Sequence, residues 1–166
     1  MGVGTVLADD PSLTVRLGTK ERRPVIILDT NLRTPPNCKL LKNIGDKGVL
    51  ILHDGKSEGR PLEERRAVLY QIDTHDIKAV LELLATQGIT RLLVEGGAQV
   101  MTSFLKSGLY DRVLNFRAPK IIGAEGQNAV TSLDIQVMQD IYHLKRTQTR
   151  SLGEDTLEIF EKCSQA

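Results

Sequence analysis

At 166 residues, 40% hydrophobic and 26% charged, the chain has the size and apolar content of one globular domain with its own core. Its formal charge of +1, with acids and bases interspersed, offers no concentrated basic face for a nucleic-acid backbone or an anionic membrane, and no apolar run approaches the ~20 residues of a membrane span. The expected partners are therefore small molecules or further copies of the chain, and the expected location is the cytoplasm.

Gly2 to Leu7 reads as the tail of a strand. Pro24-Val25-Ile26-Ile27-Leu28-Asp29 is a continuously apolar run ending in an acid, the pattern of a parallel strand buried on both faces, and Gly48 to His53 and Arg91 to Glu95 repeat it. Asp54 to Arg66 is the most hydrophilic stretch and reads as a solvated connection. Ile77, Val80, Leu81 and Leu84 recur at helical spacing, with Asp76 as N-cap and Gly88 as the stop. A second amphipathic helix follows Gly96-Gly97, carries Met101, Phe104 and Leu105 on one face, and closes at Gly108. Val113, Leu114 and Phe116 form a further strand, and a glycine-bearing loop runs from Gly123 to Thr131. His143 to Arg150 and Thr156 to Phe160 should pair as an antiparallel hairpin around Gly153-Glu154. The sum is an α/β domain whose sheet is mixed, mostly parallel, with antiparallel strands at its C-terminal edge.

Three segments carry the chemistry. In Leu92-Leu93-Val94-Glu95-Gly96-Gly97-Ala98 a strand reaches a Gly-Gly turn that opens straight into a helix, whose first amides are unpaired with the helix dipole behind them. Bare glycines let a pyrophosphate approach, as in dinucleotide-binding turns, yet the full G-x-G-x-x-G fingerprint is missing, so cofactor binding and a plain tight turn stand level. Glu95 stands at the carboxyl end of a strand, where open α/β sheets bind ligands, or simply serves the helix behind it. In Gly4 to Arg16, Asp9-Asp10-Pro11-Ser12 is turn chemistry; Arg16 adds a planar bidentate donor suited to phosphate. Asp29-Thr30 leaves the sheet at the same edge, a position that equally suits a turn cap.

Cys38 and Cys163 lack the paired spacing of a zinc site, and His53, His75 and His143 are scattered, so no metal chemistry is expected.

Taken together, Gly2 to Arg16, Pro24 to Asp29, Val94-Glu95-Gly96-Gly97, Ser103-Phe104-Leu105, Gly108-Leu109, Asp111 and Ala118 to Gly123 closely resemble the reductase domain of the bifunctional riboflavin biosynthesis deaminase/reductase. The resemblance implies a dihydrofolate-reductase-like three-layer α/β/α sandwich and NADPH-dependent reduction of 5-amino-6-(5-phosphoribosylamino)uracil to its ribitylamino counterpart. By position it implies that Thr5, Asp9, Thr30, Gly97, Ala98, Gln99, Val100, Met101, Thr102 and Ser103 meet NADPH, and that Leu13, Arg16 and Glu95 meet the substrate. Glu95 and Asp9 are the candidates for proton transfer, and a homodimer is the expected assembly.

Family members carry an opening strand and helix ahead of the segment matched by Gly2 to Arg16, so the resemblance implies an N-terminally shortened domain. The zinc deaminase motifs H-x-E and P-C-x-x-C do not occur. Two further readings follow: a non-catalytic nucleotide-binding or oligomer-forming module of the same fold, and a reductase of another pterin- or pyrimidine-like substrate.

Overall fold

The computed structural model describes residues 1–13, 23–42, 48–55 and 60–163. In chain order these form α1 (Val3–Asp9), β1 (Val25–Leu28), α2 (Lys39–Lys42), β2 (Val49–His53), α3 (Arg60–Glu63), β3 (Ala67–Gln71), α4 (Ile77–Thr86), α5 (Ala98–Ser107), β4 (Arg112–Arg117), β5 (Leu144–Leu152) and β6 (Asp155–Lys162). Two short 3-10 turns, Gly123–Glu125 and Met138–Asp140, interrupt the long connection from β4 to β5.

β1, β2 and β3 make a parallel sheet in that order, with Ile27 opposite Ile51 and Ile51 opposite Leu69. All five residues of β2 are buried, which explains their unbroken apolarity: successive side chains point to opposite faces, and both faces are covered. Val49 and Ile51 enter a core with Val3 and Val6 of α1, Leu40 and Leu41 of α2, and Leu62 of α3. Leu50 and Leu52 enter a second core with Val80 and Leu84 of α4. This half of the molecule is helix, sheet, helix.

α4 begins and ends as its sequence dictates. The Asp76 carboxylate accepts from the Ala79 N–H at 3.0 Å, and Gly88 turns the chain away at φ +75°. The loop after β1 is held by Asp29, fully buried, which accepts from the backbone N–H of Arg33 (2.9 Å) and Thr34 (2.7 Å) and from the Thr34 hydroxyl (2.7 Å). Three donors on one carboxylate account for a buried acid that makes no ion pair among the described residues.

β4, β6 and β5 form a separate antiparallel sheet, in which β5 and β6 are the expected hairpin closed by Gly153 at φ +65°. A bulge between Arg146 and Gln148 leaves Thr147 to reach across and donate its hydroxyl to the Ile159 carbonyl at 3.2 Å. Arg146 pairs with Glu158 at 2.8 Å, and that hydrogen bond is the main reason the Glu158 carboxyl lies below its ordinary value.

Four expectations need correction. Val3–Asp9 is a helix and only Gly2 makes a strand-like contact, a parallel bridge to Leu28. Val3 and Val6 are three apart and both reach the core, a helical spacing that outweighs the strand reading. Arg91 to Glu95 forms no strand and pairs with none among the described residues. The sheet is accordingly two three-stranded sheets, not one continuous mixed sheet. Within Asp54 to Arg66, α3 buries Leu62 against β2, so that connection is not wholly solvated.

Ile51 stands at the centre of the parallel sheet with no exposed surface. Ile51→Ala is expected to lower stability by about 2–5 kcal/mol through lost burial plus the cavity left behind, read as a shift of the urea unfolding midpoint.

Candidate active-site cleft

A cleft of about 2160 Å³ runs between the parallel half and β4. One wall is α1 and the segment Thr90 to Gly97; α5, β4, the end of β6 and residues 127–129 supply most of the rest. It is a broad cleft open to solvent rather than an enclosed cavity.

The turn at the head of α5 is built by glycine. Gly96 and Gly97 hold φ +69° and +77°, in the left-handed region that costs a side chain roughly 1–2 kcal/mol. A Cβ on Gly97 would also stand 3.0 Å from the Thr5 hydroxyl oxygen, and one on Gly96 3.2 Å from the Thr5 methyl. One turn along, the Val100 side chain approaches Gly2 so closely that a Cβ there would lie at 2.8 Å. α1 thus lies against the glycine turn through Thr5 and Gly2 lies against Val100, and in each contact the glycine leaves room for the larger side chain.

No side chain caps α5. Its first backbone bond is from Met101 N–H to Gly97 carbonyl at 3.1 Å, so the amides of Ala98, Gln99 and Val100 precede the helical ladder. Amides aimed past bare glycines, with the helix dipole behind them, make a seat for an anion such as a phosphate. The seat fits a dinucleotide cofactor in chemistry as well as in space.

Thr5, Asp9, Glu95, Gly97, Ala98, Gln99, Val100 and Met101 all line this cleft. Thr102 and Ser103 turn elsewhere: the Thr102 hydroxyl donates to the Ala98 carbonyl at 2.7 Å and accepts from the Thr131 N–H at 2.7 Å, and the Ser103 hydroxyl donates to the Gln99 carbonyl at 3.1 Å. Thr30 is not in the cleft wall; its hydroxyl pairs with that of buried Thr74 at 2.6 Å, at the carboxyl edge of the parallel sheet. Leu13 takes φ +44° at the end of a described stretch, and Arg16 lies outside the described residues. Asp10, beside Asp9, is engaged in holding α2, accepting from the Lys39 N–H at 2.8 Å.

The cleft's electrostatics are mixed. Glu95 and Asp9 bring acid to it, and the Met1 amino group lies in the same neighbourhood, donating to the Ile26 carbonyl at 2.9 Å. Burial holds that amine below its ordinary value of 8.0, with Glu95 acting in the opposite sense. At the other end, burial raises the Tyr110 phenol above its ordinary value of 10.0, with smaller contributions from Tyr142 and Cys163.

Sequence reasoning missed the strap over α5. Thr131 is tied to Thr102, and Asp134 to Lys106 at 2.5 Å, so the segment after the 3-10 turn follows the helix from its middle to its end. It brings Gln127, Asn128 and Ala129 to the cleft. No local pattern announces this, because Thr131 and Asp134 find partners 29 and 28 residues away.

Fold and site together define an α/β domain that opens a glycine turn and an uncapped helix start onto a wide cleft, a form suited to an anionic cofactor. The model of the RibD C-terminal domain matches residues 1–157. The chain belongs to that family, whose fold is dihydrofolate-reductase-like. It is 35% identical to the riboflavin biosynthesis protein RibD of Aquifex aeolicus, covering 98% of this chain and 45% of that protein. It is 36% identical to the 2,5-diamino-6-ribosylamino-4(3H)-pyrimidinone 5′-phosphate reductase of Methanothermobacter thermautotrophicus, covering 95% of this chain and 76% of that protein. The RibD structure of Acinetobacter baumannii superposes with a TM-score of 0.84 at 24% identity, over 98% of this chain and 46% of that one. The chain thus spans a little under half of the RibD proteins it matches and about three quarters of the archaeal reductase. Among the described residues no helix is long and apolar enough to cross a membrane, and no group of three or more His, Cys, Asp and Glu side chains could hold a metal.

Gly97→Ala is expected to cost about 1–2 kcal/mol from its backbone conformation alone, measured by urea unfolding. The strap gives a pH test. Its hydrogen bond to Lys106 is the first cause that lowers the Asp134 carboxyl below 3.8. Because the folded value is depressed, the contact is complete above pH 3.8 and is lost as the pH falls through the lowered value. Carbon-detected NMR titration of Asp134 should place its midpoint below 3.8.

Proposed function

We propose that the chain is the reductase unit of riboflavin biosynthesis, reducing 5-amino-6-(5-phosphoribosylamino)uracil to the ribitylamino compound with NADPH. One observation carries this reading: Gly96-Gly97 and the open amides of Ala98 to Val100 lie in one cleft with Glu95, Thr5 and Asp9. Family membership and the archaeal relative's name support the same chemistry.

When bound, NADPH supplies the hydride; the chain's own task is to hold two reactants in contact and to manage protons. The amides of Ala98, Gln99 and Val100 hold the cofactor phosphates, and Thr5 keeps the glycine turn open for them. Arg16 takes the substrate phosphate, and Leu13 lies near it along the chain. The sugar carbon that gains hydride must also have a proton added to its former ring oxygen as the ribosylamine opens. Glu95 is the proposed donor, since it ends the segment that leads into the glycine turn. Asp9, one turn along α1 from Thr5, serves cofactor binding. The chain works as a soluble dimer in the cytoplasm.

A second reading, nucleotide binding without turnover, has one observation in its favour: the segment delivering Glu95 makes no strand pairing among the described residues. Loss of NADPH absorbance on adding the pyrimidine substrate supports the reductase, whereas NADPH binding without that loss supports the second reading. Glu95→Gln is expected to lower kcat about a hundredfold or more, the ordinary scale of a positioned general acid, while the cofactor Kd holds. Arg16→Ala should raise KM roughly ten- to hundredfold from a lost charged hydrogen bond. An unchanged KM removes Arg16 from the phosphate site.

A further inference from the structure

The strap across α5 fixes which part of the β4–β5 connection reaches the ligand end of the cleft. Thr131 is bonded to Thr102 in the first half of α5, and Asp134 to Lys106 near its end. Segment and helix therefore run in the same direction, and residues before Thr131 lie toward the helix start. Thr102 is four residues from Ala98, about 6 Å at 1.5 Å per residue. Gln127 and Asn128 lie four and three residues before Thr131, and both line the same cleft as Gly96, Gly97 and Ala98.

Neither side-chain amide has a hydrogen-bond partner among the described residues, and both are exposed. Other polar groups of this region are used locally: Thr102, Thr131, Ser132 and Asp134 all bond within the strap and helix. Two free amides held at the mouth of a site differ from two on an untethered loop, because the tether limits the entropy lost when they engage a ligand.

A primary amide presents a donor and an acceptor side by side. That pair complements a ring edge where a carbonyl adjoins an N–H, as in a pyrimidinone, and it complements a phosphate only through its donor. The uncapped amides at the start of α5 suit an anion, so a charge-neutral donor–acceptor pair in the same cleft suits the heterocycle. We infer that Gln127 and Asn128 recognise the pyrimidinone ring of the substrate by paired hydrogen bonds. This rests on the reductase reading and adds to it the residues that select the ring.

The test is calorimetric titration of 5-amino-6-(5-phosphoribosylamino)uracil into the full chain saturated with NADP+, where no turnover occurs, for wild type, Gln127→Ala, Asn128→Ala and the double variant. Each single change is expected to weaken pyrimidine binding about fivefold to tenfold, the loss typical of one neutral hydrogen bond, with NADPH affinity by fluorescence unchanged. The exposed positions should leave the thermal midpoint in place, which separates lost contacts from lost folding. Unaltered pyrimidine affinity in the double variant overturns the inference. So does a parallel loss of NADPH and pyrimidine affinity, which would assign the amides to the cofactor. A wild-type chain that binds neither NADPH nor the pyrimidine removes the reductase reading and this inference together.

Discussion

The close approach of α1 to the glycine turn is the constraint on which the site depends. Thr5 occupies the space that a Cβ at position 96 or 97 would need, and Val100 does the same at position 2. α1 belongs to the first core through Val3 and Val6. The contact therefore locks the ligand-facing turn to the most deeply buried part of the molecule. A Cβ at position 2, 96 or 97 would press on the Val100 or Thr5 side chain and force it to shift.

The two halves of the protein differ in how firmly they are built. Every residue of β2 is buried, and Asp29 settles its charge with three donors. Across the cleft, the β4–β6–β5 sheet is mostly exposed, with Leu157 its one buried hydrophobic residue. Ion pairs such as Arg112–Glu161 lie at its surface and add little to stability. Ligands seated between a rigid half and a lightly packed one could draw them together, since binding energy can order what burial has not.

How much of this could be read from the sequence follows from the range of the interactions. The helices starting near Asp76 and after Gly97 were legible because cap, apolar period and stop are local signals. β1 and β2 were legible because burial on both faces leaves a continuous apolar run. The glycine turn was found for the same reason. What escaped was set by distant partners. β3 carries Ala67, Val68, Leu69 and Tyr70 but gave no distinct signal after a polar connection. Arg91 to Glu95 has the composition of a buried strand, yet strand formation needs a neighbour, which composition cannot supply. The Thr102 and Ser103 hydroxyls bond back to carbonyls of their own helix, and the Thr30 hydroxyl pairs with that of Thr74.

The unpaired lane beside β4 has a consequence for handling the protein. β4 pairs with β6 along one edge, and no strand takes the other among the described residues, while Phe116 of β4 is 64% exposed. Such an edge is a template on which another extended chain can be added by β-augmentation. Arg112 and Arg117, at the two ends of β4, act as charged gatekeepers against that addition. High salt, which screens them, should favour edge-to-edge association, and low ionic strength should favour the dispersed protein.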